Sequence, residues 1–537
     1  MKRLGLALIA LAMATVGCAS EPRVVRVYNG KVVEGAYVPP EAYAEYLRGA
    51  LAEEAGDLAA ATAAYEKALS EDDEDAEVWT RVGDVRCKKD PKDAKADDAF
   101  AKALKIDRTY APAHAARARC LGARGKPEEA AAAAREAAAN DPSNVEIEAL
   151  LVRTSPKPIP AVRDRAVALT VAHGERTAAW EALAHWGRAH GDAELYTRGL
   201  EGLARVSTTR IPEVEKGALD LLGQGYAGYA RRLAASIADV PADRGGAGPR
   251  DATLARLAVD EAILVGEVEK IDRRAVRAHV SLSEVAARAV LLDRREIATK
   301  LAREVTAADP KAVGAQMVLA AVAALDKTEK KPREIATTAD PAPEACALVL
   351  ADVIASTSNA ETARAWLARV QRTPTAPNDP VVGPLAVDLA ARGVIAPEDL
   401  PLDQRIELAA RRREAPPALP QNANASLDAK HTFLWHVLTN PTSKEATALA
   451  AKLAPAADRD PLVGFAVSRF LLGQDQKDAK DLDPVRRAIA ASPANPLLLA
   501  IAVELAKRIG KADELTPARA KLMAVARTPA EKALATE

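Results

Sequence analysis

Aromatic side chains are scarce in this chain: Trp, Tyr and Phe together make up 3% of its 537 residues. The apolar share is nevertheless 49%, so it is carried by alanine, leucine and valine. Alanine is the best helix former and lets helices pack closely. An excess of one charge is also lacking, with 74 basic against 75 acidic residues. No basic stripe with interleaved aromatics appears, which argues against a nucleic-acid partner. After the N-terminus no apolar run reaches the roughly 20 residues that a spanning helix needs. Cysteine is rare: Cys18, Cys87, Cys120 and Cys346. If Cys18 is consumed by modification an odd number remains, which argues against a disulfide framework. Cys87 and Cys120 are therefore expected as small buried hydrophobes, with a bridge between neighbouring helix pairs the alternative in an oxidising compartment. G-x-S-x-G, P-loop and C-x-x-C motifs are all missing. No catalytic set, metal site or cofactor is expected.

What is present begins with an export signal. Lys2 and Arg3 precede an unbroken small and apolar run from Leu4 to Val16, and Thr15-Val16-Gly17-Cys18 closes it. This is the layout of a secretory signal peptide over residues 1–17. The closing stretch resembles a bacterial lipobox, in which a small residue precedes an obligatory cysteine, although Thr15 stands where leucine is more usual. The resemblance implies that the Cys18 thiol takes a diacylglyceryl group, that the preceding peptide is removed, and that the new amino end is acylated. A thiolate suits that chemistry as the better nucleophile, and more than one acyl chain is needed for firm anchoring. Ala19 and Ser20 follow, with no aspartate, which by the same resemblance implies the outer membrane. Ordinary cleavage near Ala19, with Cys18 discarded or left free, is the alternative.

Residues 18–40 read as a tether. Val24–Tyr28 and Lys31–Val33 flank Asn29-Gly30, a strong signal for a tight hairpin, and Pro39-Pro40 ends it. Helical patterns follow: Tyr43 to Ala55, a turn at Gly56-Asp57, then Leu58 to Leu69. Gly49, Gly56, Ala61, Tyr65 and Ala68 recur as Trp79, Val82, Gly83, Phe100, Ala103 and Leu104, then as Leu121, Gly125, Ala130, Ala137 and Asn140 to Asn144. At a period of about 34 residues, residues 42–144 resemble three tetratricopeptide repeats. Small residues let the two helices of a pair approach, an aromatic fills the gap to the next pair, and Asp-Pro ends one unit. The expected fold is thus all-α: a tetratricopeptide-like helix-pair solenoid behind a signal peptide and a short β-hairpin tether. Weaker echoes define degenerate helix pairs over 145–240, a helical segment over 251–372, a pair over 381–414 and a C-terminal array over 427–537. Pro-, Gly- and Asn-rich stretches separate them.

In the tetratricopeptide family the concave face carries function, and the resemblance places Tyr43, Tyr46, Glu53, Glu54, Glu77, Thr80, Asp84, Lys88, Ala115 and Arg119 on it. Tyr43, Tyr46, Glu53, Thr80, Asp84, Lys88 and Arg119 are the candidate peptide-groove residues. Tyrosines suit peptide contact because they offer large area at low entropic cost. Equally, Tyr43 and Tyr46 would serve to cap the first pair against the hairpin. The family's clamp for chaperone tails is not expected, because its positions carry Tyr46, Ala50, Arg81, Pro112 and Ala116. Gly223 to Gly228 spells G-x-G-x-x-G, but its setting is helix–turn–helix and not strand–turn–helix. His185, His190, His431 and His436 lack metal-ligand spacing. The acidic run Glu71 to Asp75 reads as a solvated turn, and Arg411-Arg412-Arg413 as a helix end, where cations are favoured. The expected function is an interaction scaffold: a lipoprotein anchored through Cys18 that presents its groove to an unidentified protein or peptide. A cell-envelope enzyme or enzyme subunit with helical repeats, and a purely structural spacer, are the alternatives.

Overall fold

A computed structural model describes residues 24–28, 31–35, 38–327, 341–374, 379–419, 427–474, 483–510 and 512–536. The expected signal peptide and Cys18 lie outside the described residues, as do Asn29 and Gly30. Val24–Tyr28 (β1) pairs antiparallel with Lys31–Gly35 (β2), with Tyr28 in register with Lys31.

From residue 40 the chain is an array of helix pairs. The first three are α1 (Pro40–Glu54) with α2 (Leu58–Glu71), α3 (Ala76–Lys89) with α4 (Ala94–Ile106), and α5 (Ala111–Ala123) with α6 (Pro127–Asn140). Proline in the first turn opens α1, α5 and α6, and aspartate starts the other three. The side chains of Asp57, Asp75 and Asp93 accept hydrogen bonds from the first free backbone N–H groups of α2, α3 and α4, a cap worth about 1 kcal/mol each. The acidic run is a cap and a turn, as its sequence suggests: Asp75 caps α3 and the Asp73 carbonyl accepts from the Trp79 indole.

Close approach within a pair is set by one contact. A Cβ on Gly49 would lie 2.5 Å from the Tyr65 ring, and one on Gly83 would lie 2.5 Å from the Phe100 ring. Both rings are fully buried. The third pair reaches the same end differently: Ala118 and Ala134, both fully buried in one cluster, take the corresponding positions. Two methyl groups stand where the other pairs have a hydrogen and a ring, and both are buried. This packing makes the fold tetratricopeptide-like.

The cysteines correct the expectation of separate buried thiols. Cys87 on α3 and Cys120 on α5 are joined by a disulfide, with Cα atoms 5.8 Å apart. The solenoid stacks the first helix of one pair directly on the first helix of the next, so residues 33 apart come into register. Phe100, Ala96 and Ala116 pack around the bond. Cys346 is a free, buried thiol.

The chain divides into two compact units, residues 1–186 and 187–537. The second continues as helix pairs, with two-residue strands at Ala342–Pro343 and Arg372–Thr373 that pair in parallel. The G-x-G-x-x-G stretch is a helix-pair turn: the helix Ile211–Gly223 ends there, Gly225 takes φ +80°, and the helix Ala227–Ala238 follows. Gly225 lies flush against Arg459 and Asp460, and the Arg459 guanidinium sits 4.0 Å from the Tyr226 ring centroid. No strand precedes it, so it is a packing turn and not a nucleotide loop. Among the described residues no helix is long and apolar enough to cross a membrane.

Two charged networks lie inside this unit. Arg288 is fully buried and grips Asp260 with two hydrogen bonds, at 2.7 and 2.6 Å, and Asp379 with a third at 2.6 Å. Asp379 also accepts from the backbone N–H groups of Val381 and Val382, so it fixes the start of the helix Gly383–Ala391. Near the C-terminus the arginine run is more than a helix end. Arg411 bonds both Glu531 and Asp388, Arg412 donates to the Ala390 carbonyl, and Arg413 bonds Glu504. The Thr528 hydroxyl donates to the Arg411 carbonyl at 3.0 Å. The last helix, Pro529–Thr536, is thereby tied to a residue 120 positions earlier.

Candidate functional site

The groove of the first unit is built from the inward faces of α1, α3 and α5, and its polar side chains bond one another. Glu77 accepts from the Tyr46 phenol at 3.1 Å and the Arg81 guanidinium at 2.7 Å, and also from the Tyr110 phenol. Glu53 accepts from the Tyr65 phenol at 3.0 Å and from Lys88 at 2.6 Å. Asp84 holds Lys88 at 2.9 Å and Arg119 at 3.4 Å. Burial, together with hydrogen bonds to these carboxylates, pushes the Tyr65 and Tyr110 phenols well up, so both stay protonated donors. Burial alone would lower Lys88, but Glu53 and Asp84 outweigh it and raise the ammonium.

The network is layered. The Glu53 and Asp84 side chains are 14% and 9% exposed, whereas Arg81, Lys88 and Arg119 are 42%, 46% and 49% exposed. Long cationic side chains lay their stems over the groove floor and put their heads in water. The cationic heads therefore stand above Glu53 and Asp84, while Glu77 keeps 30% of its side chain exposed. A cleft of about 340 Å³ opens between Glu53, Leu58, Tyr65, Arg81 and Lys88, and exposed Glu54 lines it too.

Five of the seven candidate residues therefore fall where the repeat pattern puts them, joined in one network: Tyr46, Glu53, Asp84, Lys88 and Arg119. Thr80 does not. It is buried, and its hydroxyl donates to the Ala76 carbonyl one turn back at 2.7 Å, so it offers no group to the groove. Tyr43 is 55% exposed and shares a stripe with exposed Leu47 and Leu51 at helical spacing, apart from that network. Arg81 and Tyr110 belong to it and were not among the candidates. A basic residue one helical turn from Glu77 was the signal available for Arg81.

A second concavity lies in the C-terminal array. It holds about 530 Å³, floored by Val437, Leu438, Phe465, Leu497, Ile501 and Leu534. The helices Ala429–Thr439, Pro461–Gly473 and Pro496–Ile509 supply its walls, and the helix Pro529–Thr536 closes one side. At its mouth Arg413 and Arg469 both bond Glu504, the latter at 2.9 Å. Arg413 is held in the left-handed region, φ +58°, which costs a non-glycine residue about 1 kcal/mol. Nothing in the repeat pattern marks this chamber, because its walls come from four separate helices brought together by the return of the last one.

Near it, His431 is buried between two carboxylates, with Nδ1 2.7 Å from Asp428 and Nε2 2.8 Å from Glu407. Burial alone would lower its pKa, but the hydrogen bonds and charges of Asp428 and Glu407 raise it to about 9. Asp403, itself pushed up by burial, faces the same ring. A group raised in the folded state contributes its stability below the unfolded value near 6.5 and loses it as pH rises through about 9. We expect His431→Asn to lower the urea midpoint at pH 6, and the difference from wild type to shrink steadily towards pH 9.5. The full effect is on the order of 2–3 kcal/mol. A difference independent of pH would mean that the imidazole is neutral. Among the described residues no cluster of His, Cys, Asp or Glu is arranged to hold a metal ion.

No protein-family profile matches the chain, and no curated protein matches it. Among solved structures, a Naa15/Naa10 complex bound to HypK-THB aligns over 92% of this chain and 95% of its own, at 12% identity and a TM-score of 0.24. A hetero-tetramer of Cut9 and Hcn1 from APC/C aligns over 93% and 96%, at 14% identity and a TM-score of 0.24. At those scores neither likeness bears on this chain's partners, and the fold stands on the packing described above.

Proposed function

We propose that the chain is an exported scaffold, anchored to the cell envelope through an acylated Cys18, whose N-terminal groove takes a segment of another protein. The observation that carries the groove reading is the layered network of α1, α3 and α5: half-exposed Arg81, Lys88 and Arg119 heads paired with the less exposed carboxylates of Glu53, Glu77 and Asp84. Those cations keep unused N–H donors after satisfying Glu53, Glu77 and Asp84, and charge-assisted bonds are the strong ones. An acidic segment can share them without unpairing those carboxylates. A disulfide between Cys87 and Cys120 supports the export half, because such bonds persist in oxidising compartments and are rare in a reducing cytosol. With Cys18 acylated, outer-membrane anchoring and a place in envelope assembly follow as the working hypothesis.

The test is in-cell crosslinking followed by capture, comparing wild type with Cys18→Ser and with the double variant Lys88→Ala/Arg119→Ala. We expect Cys18→Ser to move the protein from the membrane to the soluble fraction. The double variant should stay anchored and lose roughly tenfold or more of its captured partner, given about 1.5–3 kcal/mol per charged hydrogen bond. Membrane retention of Cys18→Ser would refute the anchor, and unchanged capture by the double variant would refute the groove.

A further inference from the structure

We propose that the chamber in the C-terminal array is a binding site for an aliphatic chain that bears a carboxylate. This is independent of the groove in the first unit. Its size, about 530 Å³, falls within the range of ligand pockets, which are mostly apolar with a few polar groups that fix orientation. The floor matches that description: Leu438, Phe465, Leu497 and Ile501 face the space, and an aliphatic group that fills it gains about 0.8 kcal/mol per buried methylene.

The mouth decides which end carries charge. Arg413 and Arg469 are 41% and 43% exposed, while the Glu504 carboxylate that both grip is 20% exposed beneath them. Each guanidinium carries five N–H donors, and Glu504 takes one from each. Glu414 also lines the mouth, so net charge there is even. An anion is held by the surplus of donors and not by bulk potential. A carboxylate above Glu504 accepts from both guanidiniums in the paired geometry that arginine favours, while its chain descends onto the floor. The Arg411–Glu531 bond holds the helix Pro529–Thr536, which supplies Leu534, against the far side. That keeps the chamber formed before any ligand arrives, which lowers the ordering cost of binding.

This chemistry is shared by a free fatty acid and by a polypeptide ending in an aliphatic residue. Calorimetric titration of the full-length protein separates them. The probes are dodecanoate, dodecanol, and a hexapeptide ending in Leu-Leu as free acid and as amide. We expect one of the two carboxylates to bind in the micromolar range and its neutral counterpart at least tenfold more weakly. Arg413→Gln/Arg469→Gln should weaken the carboxylate by tenfold or more, and Ala500→Phe, which fills the chamber, should abolish binding. Thermal melts of both variants check that the array is intact; the arginines are surface groups, so the first variant folds even if the second does not. Binding by dodecanoate alone assigns a lipid source, and binding by the peptide acid alone assigns a chain terminus. The proposal is overturned if neither carboxylate binds, if the neutral probes bind as well, or if binding survives the arginine variant.

Discussion

Replacing Arg288 by methionine is expected to remove about 3–5 kcal/mol from the stability of the second unit. The guanidinium is fully buried and serves Asp260 and Asp379 together. Taking away one partner of a buried ionic group strands the others, here with only Arg256, 3.8 Å from Asp379, left as a close counter-charge, and that loss is typically of this size. Asp260 is the more exposed to the consequence in energetic terms. Burial pushes its carboxyl up, and Arg288 offsets this by charge and by hydrogen bonding. With Arg288 gone the Asp260 carboxyl takes up a proton and avoids a buried charge. Its folded-state pKa, already raised by burial, then rises further. The variant's stability is present at low pH and lost as pH rises, so its deficit against wild type widens from about pH 4 towards about pH 8. Urea midpoints at several pH values measure this directly. A further variant, Arg288→Met with Asp260→Leu, should recover part of the loss, because an apolar cluster replaces an ionic one at little cost. Asp379 is retained in it, since its other oxygen caps Val381 and Val382. A deficit that is small and independent of pH would mean that the cluster is hydrated.

The second large effect belongs to the first unit. Substituting Cys120 by alanine should cost about 3–4 kcal/mol, the loop-closure value for a loop of the 33-residue separation. Reductant should bring the wild type to the same stability and leave the variant unchanged. The difference between neighbouring repeats matters here. In a solenoid each pair contacts only its neighbours, so stability is close to a sum of repeat terms and interface terms. The bridge joins the first helices of the second and third pairs, and it therefore strengthens one interface. Hydrogen exchange should rise in α3 to α6 and much less in the second unit. Uniform protection in oxidised and reduced protein would show that the bond adds nothing to that interface.

Both effects concern features that local pattern reading could not rank. The cysteines are visible as residues one repeat apart, yet counting them with Cys18 set aside favoured free thiols. Their pairing depends on stacking geometry: the repeat sets the first helix of one pair on the first helix of the next, with the two Cα atoms 5.8 Å apart. Arg288 and Asp379 are 91 residues apart, and no periodicity links them. The groove lies between these cases. Repeat register placed Tyr46, Glu53, Asp84, Lys88 and Arg119 together, because equivalent positions of a repeat face the same way. It misjudged Thr80, whose hydroxyl bonds its own helix, and it passed over Tyr110 and Arg81, whose parts depend on which carboxylate each side chain reaches.

By itself the sequence determined the helices, their pairing and the inward register of the first three pairs. Those follow from alanine content, aspartate caps and a 34-residue spacing of small and aromatic residues, all of which act over a few turns of chain. The tertiary structure alone decided the Cys87–Cys120 bond, the buried Arg288 cluster, the tie between Arg411 and Glu531, and the chamber that this tie helps to enclose. Each depends on which residues the stacked helices bring together across 28 to 120 positions, and the sequence carries no local signal for such distances because packing between helices, not spacing along one helix, sets them. The scarcity of aromatics holds the two scales together. With few rings to fill space, Gly49 and Gly83 are reserved for Tyr65 and Phe100, and alanine packs the rest.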